Sequence, residues 1–341
     1  MSLPRILEKY RSDIEAEIKT VIDWRESGLY DMMRYHLGWI DETGKPVQNG
    51  SGKAVRPALC LFSCEAVGGD YHLALPAAAA LELVHNFSLI HDDIQDNDRE
   101  RRHRPTVWTI WGKAQAINAG TAMRILANVA LTRLGGASLT LDKRCWVGQR
   151  LDEVSLRLIE GQYLDISYEE RFDITVKDYL VMIEGKTVAL LAGSMEIGAM
   201  IGTDNPELIS ALKNAGHQIG LAFQIKDDIL GIWGNQKETG KSAGNDIRRR
   251  KKSFPVVYSI EHATGALKHE LIEIYMYSSL DEMEVTRVLE ILEHCKAREA
   301  AQSLVESYCQ SAKQILHGVS LPSAVQSEAD ELIDFLSSRD F

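Results

Sequence analysis

Two groups of aspartates carry the strongest chemical signal in this chain. One lies in His91-Asp92-Asp93-Ile94-Gln95-Asp96, the other far downstream in Asp227-Asp228. Hard carboxylate oxygens in this number suit magnesium, which keeps several waters and shares its shell with phosphate oxygens. On a helix, positions four apart lie about 40° apart around the axis, so Asp92 and Asp96 share a face. Asp93 sits about 100° to one side. Extending that face backwards collects Ser88 and His85, while Leu81, Leu83, Val84, Phe87, Leu89 and Ile90 cover the rest. A polar stripe on so apolar a helix faces water or a lined cavity. The plainer reading is an exposed acidic helix end. Against it, carboxylates at a helix C-terminus oppose the macrodipole, and crowded carboxylates repel unless a positive group lies between them.

Cationic groups follow both clusters. Arg101-Arg102-His103-Arg104 comes directly after the first, and a guanidinium fork matches phosphate oxygens. The second cluster lies on a helix with Gly220, Phe223, Gln224 and Gly231. It is followed by Gly240-Lys241-Ser242, Asp246 and the basic run Arg248 to Lys252. Alone, such a run is a solvated face or a generic polyanion patch. Gly-Lys-Ser here lacks the earlier glycine and the strand of a P-loop, which excludes that mode of nucleotide binding. Gly52-Lys53-Ala54-Val55-Arg56-Pro57 opens a helix whose N–H groups suit an anion. Lys186-Thr187 interrupts an apolar helix, a place from which a lysine more often snorkels to the surface.

The elements that must position these groups are helical. Apolar residues recur at three- and four-residue spacing near 5–24, 54–68, 76–98, 118–134, 143–168, 175–202, 206–232, 281–316 and 323–338. Alternating β-branched runs are nearly absent, so sheet is not expected. Short connections suit antiparallel neighbours. The expectation is one all-α domain over 1–341, a single antiparallel helix bundle. Of 341 residues, 45% are hydrophobic and 26% charged, and the net charge of −11 argues against nucleic-acid binding. Five scattered cysteines fit neither a zinc site nor a disulfide framework. With no secretory signal and no bilayer-length apolar stretch, a cytoplasmic protein without a transmembrane segment is expected.

Taken in order from about Gly50 to Pro255, these motifs resemble the trans-isoprenyl diphosphate synthases, or polyprenyl synthetase family. They are Gly52-Lys53-x-x-Arg56-Pro57, Asp92 to Arg102, Gly161-Gln162-x-x-Asp165, Lys186-Thr187, Phe223-Gln224-x-x-Asp227-Asp228 and Gly240-Lys241 to Lys251. The resemblance implies an all-α bundle around a deep central cavity, homodimeric, using magnesium (about three ions once diphosphate is bound). It implies that Asp92, Asp96 and Asp227 hold the metal, supported by Asp93 and Asp228. Arg101, Lys186, Gln224, Lys241 and Lys251 would contact an allylic diphosphate, and Lys53, Arg56, His85 and Arg102 isopentenyl diphosphate. Thr187 would lie near the reacting carbon. The chemistry implied is ionisation of the allylic diphosphate, attack by the isopentenyl double bond and loss of a proton.

Three positions depart from the family pattern. Gly231 stands where a further carboxylate is frequent, Ala54 where a basic residue is, and His103 where glycine is. An aromatic at Phe87, five residues before Asp92 with Ser88 beside it, resembles short-chain synthases, geranylgeranyl before farnesyl. Helix geometry points Ser88 more nearly inward than Phe87. The alternatives are a class I terpene cyclase, which has no use for Lys53, Arg56 and Arg102, and a non-catalytic subunit of a heteromeric synthase, which typically loses the aspartates.

Overall fold

The computed structural model describes residues 4–23, 25–47, 52–135, 139–234 and 244–338. Helices α1 (Arg5–Lys9), α2 (Arg11–Ile22) and α3 (Gly28–His36) lead into α4 (Val55–Ala66) and α5 (Leu75–Gln95). After a small hairpin come α6 (Val107–Trp111), α7 (Lys113–Leu131), α8 (Leu141–Tyr168), α9 (Val176–Ile183), α10 (Ala189–Gly202) and α11 (Pro206–Trp233). The later helices are Asn245–Arg248, Phe254–His262, Gly265–Met276, Glu282–His294, Ala297–His317 and Ser323–Ser338.

The helix starts follow capping chemistry. Asn205 accepts from the N–H of Glu207 at 2.9 Å, with Pro206 at the first helical position of α11. Thr175 with Asp178, and Asp281 with Glu284, form reciprocal capping boxes. The core centres on α4, α5, α10 and α11, with α7 along α5 and Ala297–His317 along α11. Ala77, Ala78, Ala79 and Ala80 are all fully buried, so α5 takes neighbours on every side. Among the described residues, Tyr71–Gln95 is long and apolar enough to cross a bilayer, but 78% of that window is buried by the protein itself. A second apolar cluster, including Ile232, Ile247, Val256 and Leu271, fixes the segment after residue 244 against the end of α11.

Several expectations change. The tract 5–24 breaks at Tyr10, and 281–316 divides at Lys296, which adopts φ 55° between its two helices. Helix α3 and the helices Phe254–His262 and Gly265–Met276 lie outside the expected tracts. The tract 175–202 is interrupted by one π turn, Glu184–Val188, which carries Lys186 and Thr187. A short antiparallel ladder also forms, pairing Glu100 with Pro105 and Arg101 with Arg104. Its two turn residues, Arg102 and His103, have φ 52° and 59°. Positive φ at both positions is the twist a two-residue hairpin wants, and glycine meets it without strain. That is the physical reason glycine suits position 103, where this chain has histidine.

Candidate active site

Asp92 and Asp96 end α5 and open onto a cleft of about 920 Å³, whose lining also includes Arg101, Asp165, Lys186 and Lys251. Burial pushes the Asp92 carboxyl up to about 6; Lys186 works against this and Asp96 adds to it. The Asp96 carboxyl is raised for the same first reason. Asp93 points elsewhere. It is 1% exposed and accepts from Arg101 Nε at 2.8 Å, so it aims the guanidinium. Arg104 does not join the site. It donates to the carbonyls of Tyr35 and Ile40 and lies 4.0 Å from the Tyr35 ring, clamping the hairpin.

Lys186 reaches the cleft because two helix backbones nearly touch. A Cβ at Gly161 would overlap the Lys186 amide and sit 2.6 Å from the Gly185 carbonyl carbon. One turn after Gly161 on α8, Asp165 accepts from Lys186 Nζ. Burial works against the Lys186 ammonium, yet Asp165 and Asp92 outweigh it and raise its pKa. The sequence reading that a lysine here would snorkel outward is therefore corrected: its charge is held inside by paired carboxylates. Gln162 Nε2 donates to Gln95 at 2.9 Å and ties α8 to the end of α5.

Asp227 and Asp228 divide as clearly as Asp92 and Asp93. Asp227 is exposed, whereas Asp228 is 1% exposed. Asp228 accepts from Tyr179 Oη at 2.6 Å, the Phe254 N–H at 2.8 Å and Gln224 Nε2 at 3.0 Å. Gln224 in turn accepts from the Thr187 hydroxyl at 2.7 Å. Thr187, Gln224 and Asp228 thus form one chain of bonds from the π turn to the helix Phe254–His262. Lys251 Nζ completes it, 3.5 Å from Asp228 and 3.7 Å from Asp246.

The basic run is not one solvated patch. Arg248 pairs with Glu282 and Arg249 with Asp98, while Arg250 donates to the Tyr277 carbonyl. Lys251 meets Asp228 and Asp246, and Lys252 lies 3.7 Å from the Phe172 ring. Each cation has its own destination.

A second cationic group forms around Glu82, 8% exposed on α5. Burial pushes Arg56 down to about 10, opposed by Glu82 and Asp227. Arg102 is also lowered by burial and raised by Glu82. Burial, then Arg56 and Arg102, drives His85 well below its ordinary range, so it stands as a neutral imidazole. Lys53 is exposed, its ammonium 5.8 Å from the Phe335 ring. Phe87 and Ser88 are 5% and 7% exposed. Phe87 packs edge-on against His91 at 5.7 Å, and Ser88 Oγ donates to the His85 carbonyl. Lys241 lies outside the described residues.

Among the described residues no three His, Cys, Asp or Glu side chains gather closely enough to hold a metal ion by themselves. Asp92, Asp96 and Asp227 are therefore not a closed triad. Magnesium bound by one or two carboxylates keeps its remaining positions for water and phosphate oxygens, and the open pair on α5 suits that mode. The sequence reading gave no role to Glu82, Tyr179 or Arg249, and placed Asp165 and Asp246 in motifs without a task. The four-residue spacing from Gly161 to Asp165 was the one available signal; the others depend on long-range contacts.

The model of the family described as polyprenyl synthetase matches residues 38–292. The chain belongs to the polyprenyl synthetase family. Among similar polyprenyl synthetases, the (2E,6E)-farnesyl diphosphate synthase of Mycobacterium tuberculosis is 37% identical, covering 96% of this chain and 90% of that one. A geranylgeranyl diphosphate synthase of the same organism is also 37% identical, with 94% and 89% coverage. The crystal structure of a polyprenyl synthetase from Streptomyces coelicolor superposes with a TM-score of 0.90 at 38% identity, over 97% and 98% of the two chains. That of geranylgeranyl pyrophosphate synthase from Corynebacterium glutamicum, complexed with isoprenyl diphosphate and magnesium, gives 0.83 at 25% identity, over 99% and 100%.

Proposed function

We propose that this polyprenyl synthetase is a trans-prenyltransferase that condenses isopentenyl diphosphate with an allylic diphosphate. The observation that carries the reading is the cleft itself, where Asp92 and Asp96 stand with Arg101, Lys186 and Lys251 in a chain of net charge −11. Local cations against an acidic background suit a diphosphate. Asp92, Asp96 and Asp227 would hold magnesium, about three ions with diphosphate bound, and the metal would supply charge neutralisation at the leaving group.

The chain's own groups do the rest. Arg101, aimed by Asp93, and Lys186, held by Asp165, donate to the allylic diphosphate; Gln224, Lys241 and Lys251 join them. Their fixed charges stabilise the diphosphate as the allylic C–O bond breaks and its electron pair moves to oxygen. Thr187, anchored on Gln224, stands at the reacting end. Lys53, Arg56, His85 and Arg102 hold isopentenyl diphosphate so that its double bond attacks the allylic carbon. The proton then leaves to the released diphosphate. Geranylgeranyl diphosphate is the preferred product and farnesyl diphosphate the next, with buried Phe87 as the floor of the growing chain.

A homodimer fits an exposed apolar stripe on α8, made by Leu156, Ile159, Tyr163 and Ile166, with Ile117 and Ile125 on adjacent α7. Purified protein incubated with magnesium, isopentenyl diphosphate and each allylic starter, with dephosphorylated products sized by chromatography, tests the reading. Failure to consume isopentenyl diphosphate would leave a terpene cyclase or an inactive subunit instead. Asp92→Ala should lower turnover by about three orders of magnitude at saturating magnesium, the loss of about 4 kcal/mol of transition-state stabilisation. Turnover within about threefold of wild type would sink the site assignment.

A further inference from the structure

Lys251 and Lys252 are consecutive, and the fold treats them in opposite ways. Lys251 Nζ has two carboxylates beside it, Asp228 at 3.5 Å and Asp246 at 3.7 Å. Lys252 is 5% exposed, and its ammonium makes no hydrogen bond among the described residues. Two rings hold it instead: Nζ lies 3.7 Å from the centre of the Phe172 ring and 5.1 Å from that of Tyr275. Burial and the Arg250 guanidinium both disfavour its charge, and among the described residues no carboxylate offsets them. The hydroxyl of Tyr275, on the helix Gly265–Met276, is also buried and has no hydrogen-bond partner among the described residues. The Asp246 carboxylate acts on Tyr275 but is engaged by Lys251.

Two buried donors without acceptors cost stability, so a reason for keeping them is called for. Lys252 and Tyr275 both line the cleft that Asp92 and Asp96 open onto, as do Arg249 and Arg250. What the pair lacks is an acceptor that carries negative charge. A phosphoryl group supplies both, with several oxygens to share between an ammonium and a phenol. A ring face holds an ammonium more weakly than a charge-assisted hydrogen bond does, so an entering oxyanion would draw Lys252 off its rings. A metal ion does not suit this end of the cleft, where Lys252 and Arg250 would repel it.

We infer that Lys252 and Tyr275 form a second oxyanion subsite in the cleft, one that takes a phosphoryl group without a metal ion. Its occupant is free inorganic diphosphate or the diphosphate head of a substrate, which share the same recognition chemistry. The inference goes beyond the proposed reaction, in which Lys252, Tyr275 and Phe172 have no task, and it needs neither magnesium nor a prenyl chain.

Wild type, Lys252→Met and Tyr275→Phe are titrated with inorganic pyrophosphate in EDTA at pH 7 by calorimetry, with a melting curve for each. Both substitutions remove a buried polar group that has no partner, so the fold should be kept or stabilised, and either variant alone decides the matter. Lys252→Met should weaken metal-free binding at least about tenfold and Tyr275→Phe at least about threefold. The phenol carries no charge, so its effect separates contact from the general field of the cleft. A smaller loss in either variant overturns the inference, and so does a wild type that binds no pyrophosphate without magnesium. KM values for the two substrates separate the sources. A raised KM for one of them assigns the head of that substrate, and a loss confined to inorganic pyrophosphate assigns the free anion. A wild type that binds pyrophosphate in EDTA yet consumes no isopentenyl diphosphate would defeat the proposed reaction and leave the subsite standing.

Discussion

The contact between Gly161 and the π turn gives a prediction with a calculable size. Alanine at 161 would place its Cβ 2.6 Å from the Gly185 carbonyl carbon and in overlap with the Lys186 amide. Ordinary carbon contacts begin near about 3.5 Å, so α8 and the turn must separate by at least about 0.9 Å, and by more to clear the Lys186 amide. Both neighbours are backbone, and no rotamer change relieves the overlap. Overpacking of this kind costs about 1–3 kcal/mol, or a fall in melting temperature of about 1.5–4 °C for a chain of this size. The larger effect is on catalysis. Asp165 and Lys186 ride on the two separated elements, and a displacement of about 1 Å in a positioned group can cost about 100-fold in rate. The assay is kcat and KM for both substrates beside a melting curve, for Gly161→Ala and for Glu160→Ala, an exposed position on the same helix. Gly161→Ala melting within 1 °C of wild type, with kcat within about twofold, would refute the argument that backbone contact places Lys186.

Other perturbations test separate features. Tyr179→Phe removes a 2.6 Å donor from buried Asp228 and should cost about 1.5–3 kcal/mol, read as a fall in melting temperature. Phe87→Ala should lengthen the product and cost about 3–5 kcal/mol of stability; an unchanged product distribution would remove Phe87 as the floor. Burial, with Arg250 adding, pushes the Lys252 ammonium down from 10.5 to about 8. A depressed lysine stabilises the fold fully above 10.5, and that contribution is lost as pH falls through about 8. Wild-type stability should thus rise between about pH 8 and 10.5, while Lys252→Met abolishes the rise. At pH 7 the same variant should raise the melting temperature, because it removes a desolvated charge worth up to about 3 kcal/mol, offset in part by its attraction to the Phe172 ring. Melting curves from pH 7 to 10 decide the matter.

Much of the site was legible because its chemistry is local. Asp92 and Asp96 are one helical turn apart, and spacing alone puts them on one face and turns Asp93 away. The same logic could not separate Asp227 from Asp228, because what buries Asp228 comes from Tyr179 and Phe254, distant in sequence. Nor could it read the basic run, where each side chain answers to a different element. The helices Phe254–His262 and Gly265–Met276 escaped periodicity because a Pro at the start of one and a Gly at the start of the other look like breaks. Here Pro255 and Gly265 occupy the second and first helical positions, where both are tolerated. Position 103 shows a further limit. A missing glycine reads as a neutral departure until the backbone angle at His103 is known.

The π turn has a consequence for how the chain can tolerate change in length. Such a turn carries one residue more than a regular helix of the same rise, so α9 and α10 run about 100° out of phase with each other. Removing any one residue from Glu184–Val188 would let a continuous α-helix form, and would be the sterically easier local structure. It would also rotate everything on one side of the deletion, turning the apolar face of α9 or of α10 away from the core. The surplus residue therefore works as a phase corrector: it lets two helices bury their own faces while Lys186, at the step between them, faces the cleft and Thr187 bonds to Gln224 on α11.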